Sequence, residues 1–190
     1  MSSGFNQDPS AIESAIDITD ESTGDSTVAD PQGANVGSGE GAAGYTLIKE
    51  FNVTDLSTTQ AAAVEIAKGL ARPACVYLYG GLGAGKTTLC QGIISALGNT
   101  SPVTSPTYNL IQEYPTTNSV VYHMDLYRLN EPEELEFLAL ADLWQANSIF
   151  LIEWPDKGIG FLPQATHVIE LEVDQNVEHE QRSIRLKIPS

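Results

Sequence analysis

The chain has 190 residues, which is enough for one domain with a substantial core. Its formal net charge of -16, from 25 acidic and 9 basic residues, disfavours direct binding to nucleic acid or anionic membrane, since both need clustered Lys and Arg. Contact with nucleic acid through a partner protein remains open. No apolar run approaches the roughly 18 residues of a transmembrane helix, and the two cysteines suggest neither a metal site nor a disulfide framework, so we expect a cytoplasmic protein.

Residues 1–44 differ in composition from the rest of the chain. They carry eight acidic residues and no Lys or Arg, and Gly, Ser, Ala and Thr make up most of the remainder. Such a segment buries too little apolar surface to offset its ordering entropy, so we predict a disordered acidic extension. It lacks the basic start and apolar stretch of a signal peptide and the Arg-rich composition of a transit peptide. The folded domain is predicted over residues 45–190.

Strand and helix patterns alternate through the predicted domain. The predicted strands are residues 45–53, 74–79, 107–113, 120–125, 148–153, 167–173 and 182–188. Helices are predicted over residues 59–70 and 87–97, and a third begins at residues 131–134, where Pro and acidic residues form the first turn. This order predicts an α/β fold, a three-layer P-loop NTPase-like sandwich around a mixed, largely parallel sheet with a C-terminal antiparallel hairpin.

Residues 80–87, GGLGAGKT, fit the pattern G-x-x-x-x-G-K-[ST] of the phosphate-binding loop. They lie between a predicted buried strand and a predicted helix, the setting that this motif requires. Glycines let backbone N–H groups turn toward phosphate oxygens, while the Lys86 ammonium would reach the β- and γ-phosphates and the Thr87 hydroxyl would ligate Mg²⁺. The predicted nucleotide-binding residues of the loop are Gly80, Gly81, Leu82, Gly83, Ala84, Gly85, Lys86, Thr87 and Thr88.

Two carboxylates end predicted strands, where a phosphate loop needs an acid to hold or orient Mg²⁺. Glu153 ends the apolar run at residues 149–153, and Asp125 ends the less apolar run at residues 120–125. Both would lie at the sheet edge where ligands of open α/β folds bind. The alternative for Glu153 is a solvated strand end, and the alternative for Asp125 is a helix cap or an ion pair with Arg128.

The segment around Thr107 and some absent motifs bear on the kind of enzyme. Thr107 lies where many phosphate-loop enzymes place a switch threonine that completes the Mg²⁺ shell, although a turn into a strand explains its position equally well. The chain has no Asn-Lys-x-Asp stretch for guanine and no Leu-Ser-Gly-Gly-Gln stretch of transporter ATPases. Its four arginines are fewer than small-molecule kinases of this fold usually need to clamp a phosphoryl group.

Four stretches taken together resemble the bacterial TsaE (YjeE) family, ATPases of tRNA threonylcarbamoyladenosine biosynthesis. They are residues 80–88 (GGLGAGKTT), 105–110 (SPTYNL), 123–129 (HMDLYRL) and 152–158 (IEWPDKG). The first motif alone is widespread, whereas the third and fourth make the resemblance specific. It extends over about residues 45–188.

The resemblance implies an ATPase that is weak alone and acts with a TsaD-like transferase and a TsaB-like paralogue on adenosine 37 of certain tRNAs. By that analogy it hydrolyses ATP to support repeated turnover of the transferase, and tRNA contact falls mainly to these partners. The acidic composition predicts no membrane partner. Carried over by position, Thr87 and Glu153 would hold Mg²⁺, and Asp125 would orient water or metal. Thr107 would belong to the switch segment, and Thr59 would lie near the adenine. The implied catalytic residues are Lys86, Asp125 and Glu153.

One loop position departs from the family. Its members usually have Asp where this chain has Gly81. We expect the backbone cradle and phosphate binding to survive this change, because they depend on main-chain groups, while one carboxylate near the site is lost. The alternatives to the family function are an autonomous small-molecule kinase and a nucleotide-dependent switch module.

Overall fold

The computed structural model describes residues 44–107, 109–174 and 181–190, and a seven-stranded mixed sheet lies at its centre. The strands are β1 Tyr45–Val53, β2 Ala74–Tyr79, β3 Ile111–Pro115, β4 Val120–Asp125, β5 Ser148–Glu153, β6 His167–Asp174 and β7 Gln181–Pro189. They are ordered β1-β7-β6-β2-β5-β4-β3. The central strands β6, β2, β5 and β4 are parallel, whereas β1, β7 and β3 pair antiparallel with their neighbours. The predicted mixed sheet with a C-terminal antiparallel hairpin is confirmed.

Helices cover both faces of this sheet. The described helices are α1 Leu56–Gly69, α2 Lys86–Ala96 and α3 Leu140–Leu143, with 3₁₀ helices at Pro132–Leu138 and Pro155–Gly158. Asp55 caps α1, because its Oδ1 accepts from the Thr58 backbone N–H at 2.8 Å while the Thr58 hydroxyl oxygen accepts from the Asp55 N–H at 3.1 Å. None of the described helices has both the length and the hydropathy to cross a membrane.

Two buried clusters, one on each face of the sheet, form the core. Side chains alternate between the faces of a strand, so residues two apart share a face. Val121 and Leu151 pack with α1 and α2, whereas Met124, Phe150 and Ile152 pack with the 3₁₀ helices and α3. The predicted three-layer architecture is therefore confirmed. The alternation of side chains also determines which residues of β4 and β5 point toward α2.

Two predicted elements have different forms in the structure. β3 begins at Ile111, so the predicted strand start at residue 107 is wrong, and Leu110 has a positive φ of 60° just before the strand. The helix predicted from residue 131 is the 3₁₀ helix Pro132–Leu138, and its C-cap residue Ala139 has a left-handed φ of 46°. A 3₁₀ helix aligns residues i and i+3, so Leu135 and Leu138 both pack on the core while Phe137 stays exposed.

The predictions for residues 1–44 concern positions that, apart from Gly44, lie outside the described residues. The disordered acidic extension therefore remains a prediction. So does the domain boundary near Tyr45, although β1 begins at that residue.

Candidate nucleotide site

The loop between β2 and α2 has positions that only glycine fits well. Gly80, Gly83 and Gly85 have φ values of +153°, +77° and +102°, which L side chains rarely adopt. A Cβ at Gly80 would also lie 2.8 Å from the carbonyl oxygen of Leu171. Gly85 is the N-cap of α2 and has no side chain to accept from the first helical N–H groups, which leaves these donors available to an anion.

Lys86 lies at the first position of α2 and folds back onto the loop. Its Nζ donates to the carbonyl oxygens of Gly80 at 2.7 Å and Gly81 at 2.9 Å, and lies 3.9 Å from the centre of a Trp154 ring. Burial lowers the pKa of the Lys86 ammonium, and the negative charge of Glu153 opposes this shift. The residue therefore offers a partly desolvated cation beside the loop.

Glu153 is the last residue of β5 and is only 2% exposed. The alternative that it is a solvated strand end is therefore wrong. Its two oxygens have different partners. Oε2 accepts from the Thr87 hydroxyl at 3.0 Å, and Oε1 lies 2.8 Å from Nε2 of His123. The carboxylate is thus held between α2 on one side and β4 on the other.

Asp125 lies directly opposite Glu153 in the parallel β4–β5 pair. Its Oδ2 accepts from the Thr107 hydroxyl at 2.6 Å, and its Oδ1 accepts from the Tyr127 backbone N–H at 3.1 Å. The Thr107 hydroxyl in turn lies 2.6 Å from that of Ser105. The structure therefore connects the predicted switch segment to the second strand-end carboxylate.

A cavity of about 410 Å³ lies beside the loop and the two carboxylates. Its walls are Leu82, Gly83, Gly85, Lys86, Thr87, Thr88, Ser105, Thr107, Asp125, Tyr127, Arg128, Glu153 and Trp154. A second cavity of about 260 Å³ shares Gly83, Gly85 and Thr88 with the first. Thr59 lines this second cavity, and its hydroxyl donates to the carbonyl oxygen of Asp55 at 2.8 Å. Thr59 is therefore separate from the carboxylates but adjacent to the loop.

The donor set suits a phosphate and a hard cation. The Thr87 hydroxyl and the carboxylates of Glu153 and Asp125 supply oxygen ligands, which Mg²⁺ prefers. Lys86 and the start of α2 supply positive charge for phosphate oxygens. The first cavity brings six predicted loop residues together with both acids and Thr107, whereas Gly80 and Gly81 do not line it and Ala84 and Thr59 line the neighbouring cavity.

Sequence reasoning missed three contributors to this site. His123 contacts Glu153, and its position two residues before Asp125 on one strand was an available signal, since such residues share a face of the strand. The rings of Tyr127 and Trp154 pack with centroids 5.1 Å apart and planes tilted by 47°, and both residues line the cavity. The ring of Trp154 also lies against the Lys86 ammonium, a contact that the position of Trp154 beside a strand end does not indicate.

A strand, glycine loop and helix on a parallel sheet, with acids at the ends of neighbouring strands, define a P-loop NTPase-like protein. The solved structure of Bacillus subtilis YdiB is similar, with a TM-score of 0.60 and 25% identity over 76% of this chain and 88% of that one. The family model of "Threonylcarbamoyl adenosine biosynthesis protein TsaE" matches residues 53–184. The chain belongs to the TsaE family.

Several curated relatives carry the description tRNA threonylcarbamoyladenosine biosynthesis protein TsaE. The Haemophilus influenzae relative is 50% identical over 97 residues, which cover 51% of this chain and 61% of that protein. The Synechocystis relative is 39% identical over 119 residues, covering 60% and 73% respectively. The Rickettsia felis relative is 41% identical over 120 residues, covering 62% and 70%.

Proposed function

We propose that this protein is the ATP-hydrolysing subunit of a complex that forms threonylcarbamoyladenosine at position 37 of tRNA. Its family and its curated relatives are named for this biosynthesis. The observation that carries the ATPase part is the pair of buried acids, Asp125 and Glu153, in register beside Thr87 and Lys86. A module that only binds phosphate would need the loop, whereas hydrolysis also needs acids that orient the metal and the water.

The residues present fit ATP and Mg²⁺. Two buried carboxylates in adjacent strands concentrate negative charge, which favours a divalent cation there. Thr87 and Glu153 would hold the ion, and Asp125 would orient water or add a ligand. Bound Mg²⁺ supplies Lewis-acid stabilisation of the transferring phosphoryl group.

The remaining residues bind and orient the nucleotide in this proposal. Lys86 would exchange its two carbonyl partners for phosphate oxygens, which accept stronger, charge-assisted hydrogen bonds. The Thr107 hydroxyl donates a hydrogen bond to Asp125 and would thereby couple the switch segment to the reacting phosphate. Thr59 lines the cavity next to the loop and would lie near the adenine.

The partners in this proposal are a TsaD-like transferase and a TsaB-like paralogue, with tRNA reached through them in the cytoplasm. The net charge of -16 supports this division, since a tRNA backbone would be repelled by most of this chain. The chain would hydrolyse ATP to support their turnover and would not itself transfer the threonylcarbamoyl group.

A γ-phosphate release assay with the full chain tests the proposal. We expect slow release by the chain alone and faster release when the two purified partner subunits are added. Phosphoryl transfer to a metabolite would instead indicate an autonomous kinase. Tight ATP binding without turnover under either condition would indicate a switch module.

A further inference from the structure

His123 is a fully buried polar residue for which the proposed reaction has no role. It is 0% exposed, and its Nε2 lies 2.8 Å from Oε1 of Glu153. Its Nδ1 has no hydrogen-bond partner among the described residues. Because β4 side chains alternate, His123 shares a face with Asp125 and points, like Glu153, toward α2.

The direction of this hydrogen bond follows from the two groups. Glu153 would hold the ion as a carboxylate, whose oxygens can only accept, so Nε2–H of His123 would be the donor. Nδ1 has no hydrogen-bond partner among the described residues, so the Nε2–H tautomer leaves no buried N–H group without an acceptor. His123 is therefore a fixed donor aimed at one oxygen of Glu153.

A transition-metal site is the competing interpretation, because the ligand atoms of Cys90, His123 and Glu153 lie within 4.8 Å of one another. Nε2 of His123 and Oε1 of Glu153 lie 2.8 Å apart, which is the separation of a direct hydrogen bond, so these two atoms are each other's partners. Cys90 is a buried free thiol beside this pair.

We propose that His123 is a positioning residue for Glu153, an inference that rests on the proposed Mg²⁺-dependent function. Its Nε2–H holds Oε1, so that the carboxylate cannot rotate and Oε2 stays beside the Thr87 hydroxyl. The two groups that would hold the ion are thereby oriented before it binds. Partners of this kind behind metal ligands typically affect metal affinity by about 10–100-fold.

The test compares three variants of the full chain. His123→Gln keeps an N–H donor near the Nε2 position, His123→Leu removes the donor and keeps an apolar side chain, and Met124→Leu is a matched control. Met124 is equally buried on the same strand but faces the opposite core cluster. Mn²⁺ binding is measured by electron paramagnetic resonance with a non-hydrolysable ATP analogue present, and analogue binding is measured separately in EDTA.

We expect His123→Leu to weaken Mn²⁺ binding by about 10–100-fold, His123→Gln to recover most of it, and Met124→Leu to match wild type. Analogue binding in EDTA should stay unchanged in all three. Equal Mn²⁺ affinity in His123→Leu and Met124→Leu would overturn the proposal, as would an equal loss in His123→Gln and His123→Leu.

A measurement on the unmodified protein covers the case in which His123→Leu does not fold. Nitrogen-15 spectra of the imidazole should identify the Nε2–H form, and an Nδ1–H form would overturn the proposal. Failure of the wild-type chain to bind the analogue and Mn²⁺ would instead overturn the proposed function. The two failures are thus distinguishable.

Discussion

Lys86 contacts two loop carbonyls and an aromatic ring, each of which a phosphate can replace or supplement. We expect Lys86→Ala to weaken ATP binding by at least about tenfold, since hydrogen bonds to charged groups contribute about 1.5–3 kcal/mol each, and to abolish hydrolysis. Isothermal titration with ATP and γ-phosphate release measure the two effects. Lys68→Ala, on the exposed side of α1, is the matched control. Unchanged turnover in Lys86→Ala would refute the site assignment.

Two neighbouring glycines of the loop should respond differently to substitution. Gly80→Ala places a Cβ 2.8 Å from the Leu171 carbonyl oxygen at a φ of +153°, so we expect the free energy of unfolding to fall by about 1–3 kcal/mol. At Gly81 a Cβ meets nothing within 4 Å and φ lies outside the left-handed region. Gly81→Asp, which restores the usual family residue, should change stability by less than about 0.5 kcal/mol. Urea denaturation measures both, and a larger loss in Gly81→Asp would contradict the loop geometry.

Some residues of this site could be predicted from the sequence and others could not. Thr87 and Glu153 were predicted from motif and strand end because those positions follow from the chain order of a phosphate-loop fold. The hydrogen bond between His123 and Glu153 was not predicted, since it depends on the register of two strands far apart in sequence. Likewise, no local pattern indicates that Trp154 adopts a φ of +58°.

At the scale of elements, α1 depends on the cap at its start. The backbone N–H of Thr58, followed by its hydroxyl, holds the pKa of Asp55 below the usual 3.8. We expect Asp55→Ala to lower the thermal midpoint at pH 7, and Asp55→Asn to lower it less because Asn also caps helices. Thermal unfolding followed by circular dichroism measures these midpoints.

The effect of pH on this cap has a definite sign. The pKa of Asp55 is lowered in the folded protein, so its ionised form adds stability above pH 3.8 and loses it as pH falls through the lowered value. The advantage of wild type over Asp55→Asn should therefore be present at pH 6 and vanish in acid. An advantage that grows as pH falls would contradict the assigned cap.

Element types were predicted well for strands that are buried apolar runs and poorly where tertiary contacts determine the backbone conformation. β2, β4 and β5 agree with prediction residue for residue, because their apolar runs are bounded by turn signals. β3 starts late because Thr107 instead bonds to Asp125. The 3₁₀ helix Pro132–Leu138 was predicted only as a helix start, since acids and Pro signal the first turn but not the hydrogen-bond type that follows.

For the whole molecule, the sheet order explains why one edge carries the chemistry. β2 lies between β6 and β5, and β4 follows β5, so the loop after β2 faces the ends of two acid-bearing strands. The antiparallel strands β1, β7 and β3 lie outside this parallel centre and contribute neither of the two acids. The sequence predicted that both acids lie at one edge of the sheet, because parallel strands align their carboxyl ends there, but it did not predict the order of the strands.

The charge of the whole chain leads to the last prediction. Of nine basic residues, Lys49, Lys68, Arg185 and Lys187 pair with carboxylates, and Lys86 lies at the loop. Acidic residues outnumber basic ones by 25 to 9 over the whole chain, so we expect the chain alone not to retain tRNA in a gel-shift assay at physiological salt.

Deletion of residues 1–43 sharpens this test, because it removes eight of the 25 acidic residues and no basic ones. If the charge of the extension alone repelled tRNA, the shortened chain would bind it. We expect no retention, since acids still outnumber bases in the remainder, while ATP binding should persist if the domain folds from residue 45. With the partner subunits present, both chains should enter a tRNA complex that weakens as salt rises. Retention of tRNA by the full-length or the shortened chain alone would show that this protein itself binds tRNA. That result would refute the proposal that the partner subunits make the tRNA contact.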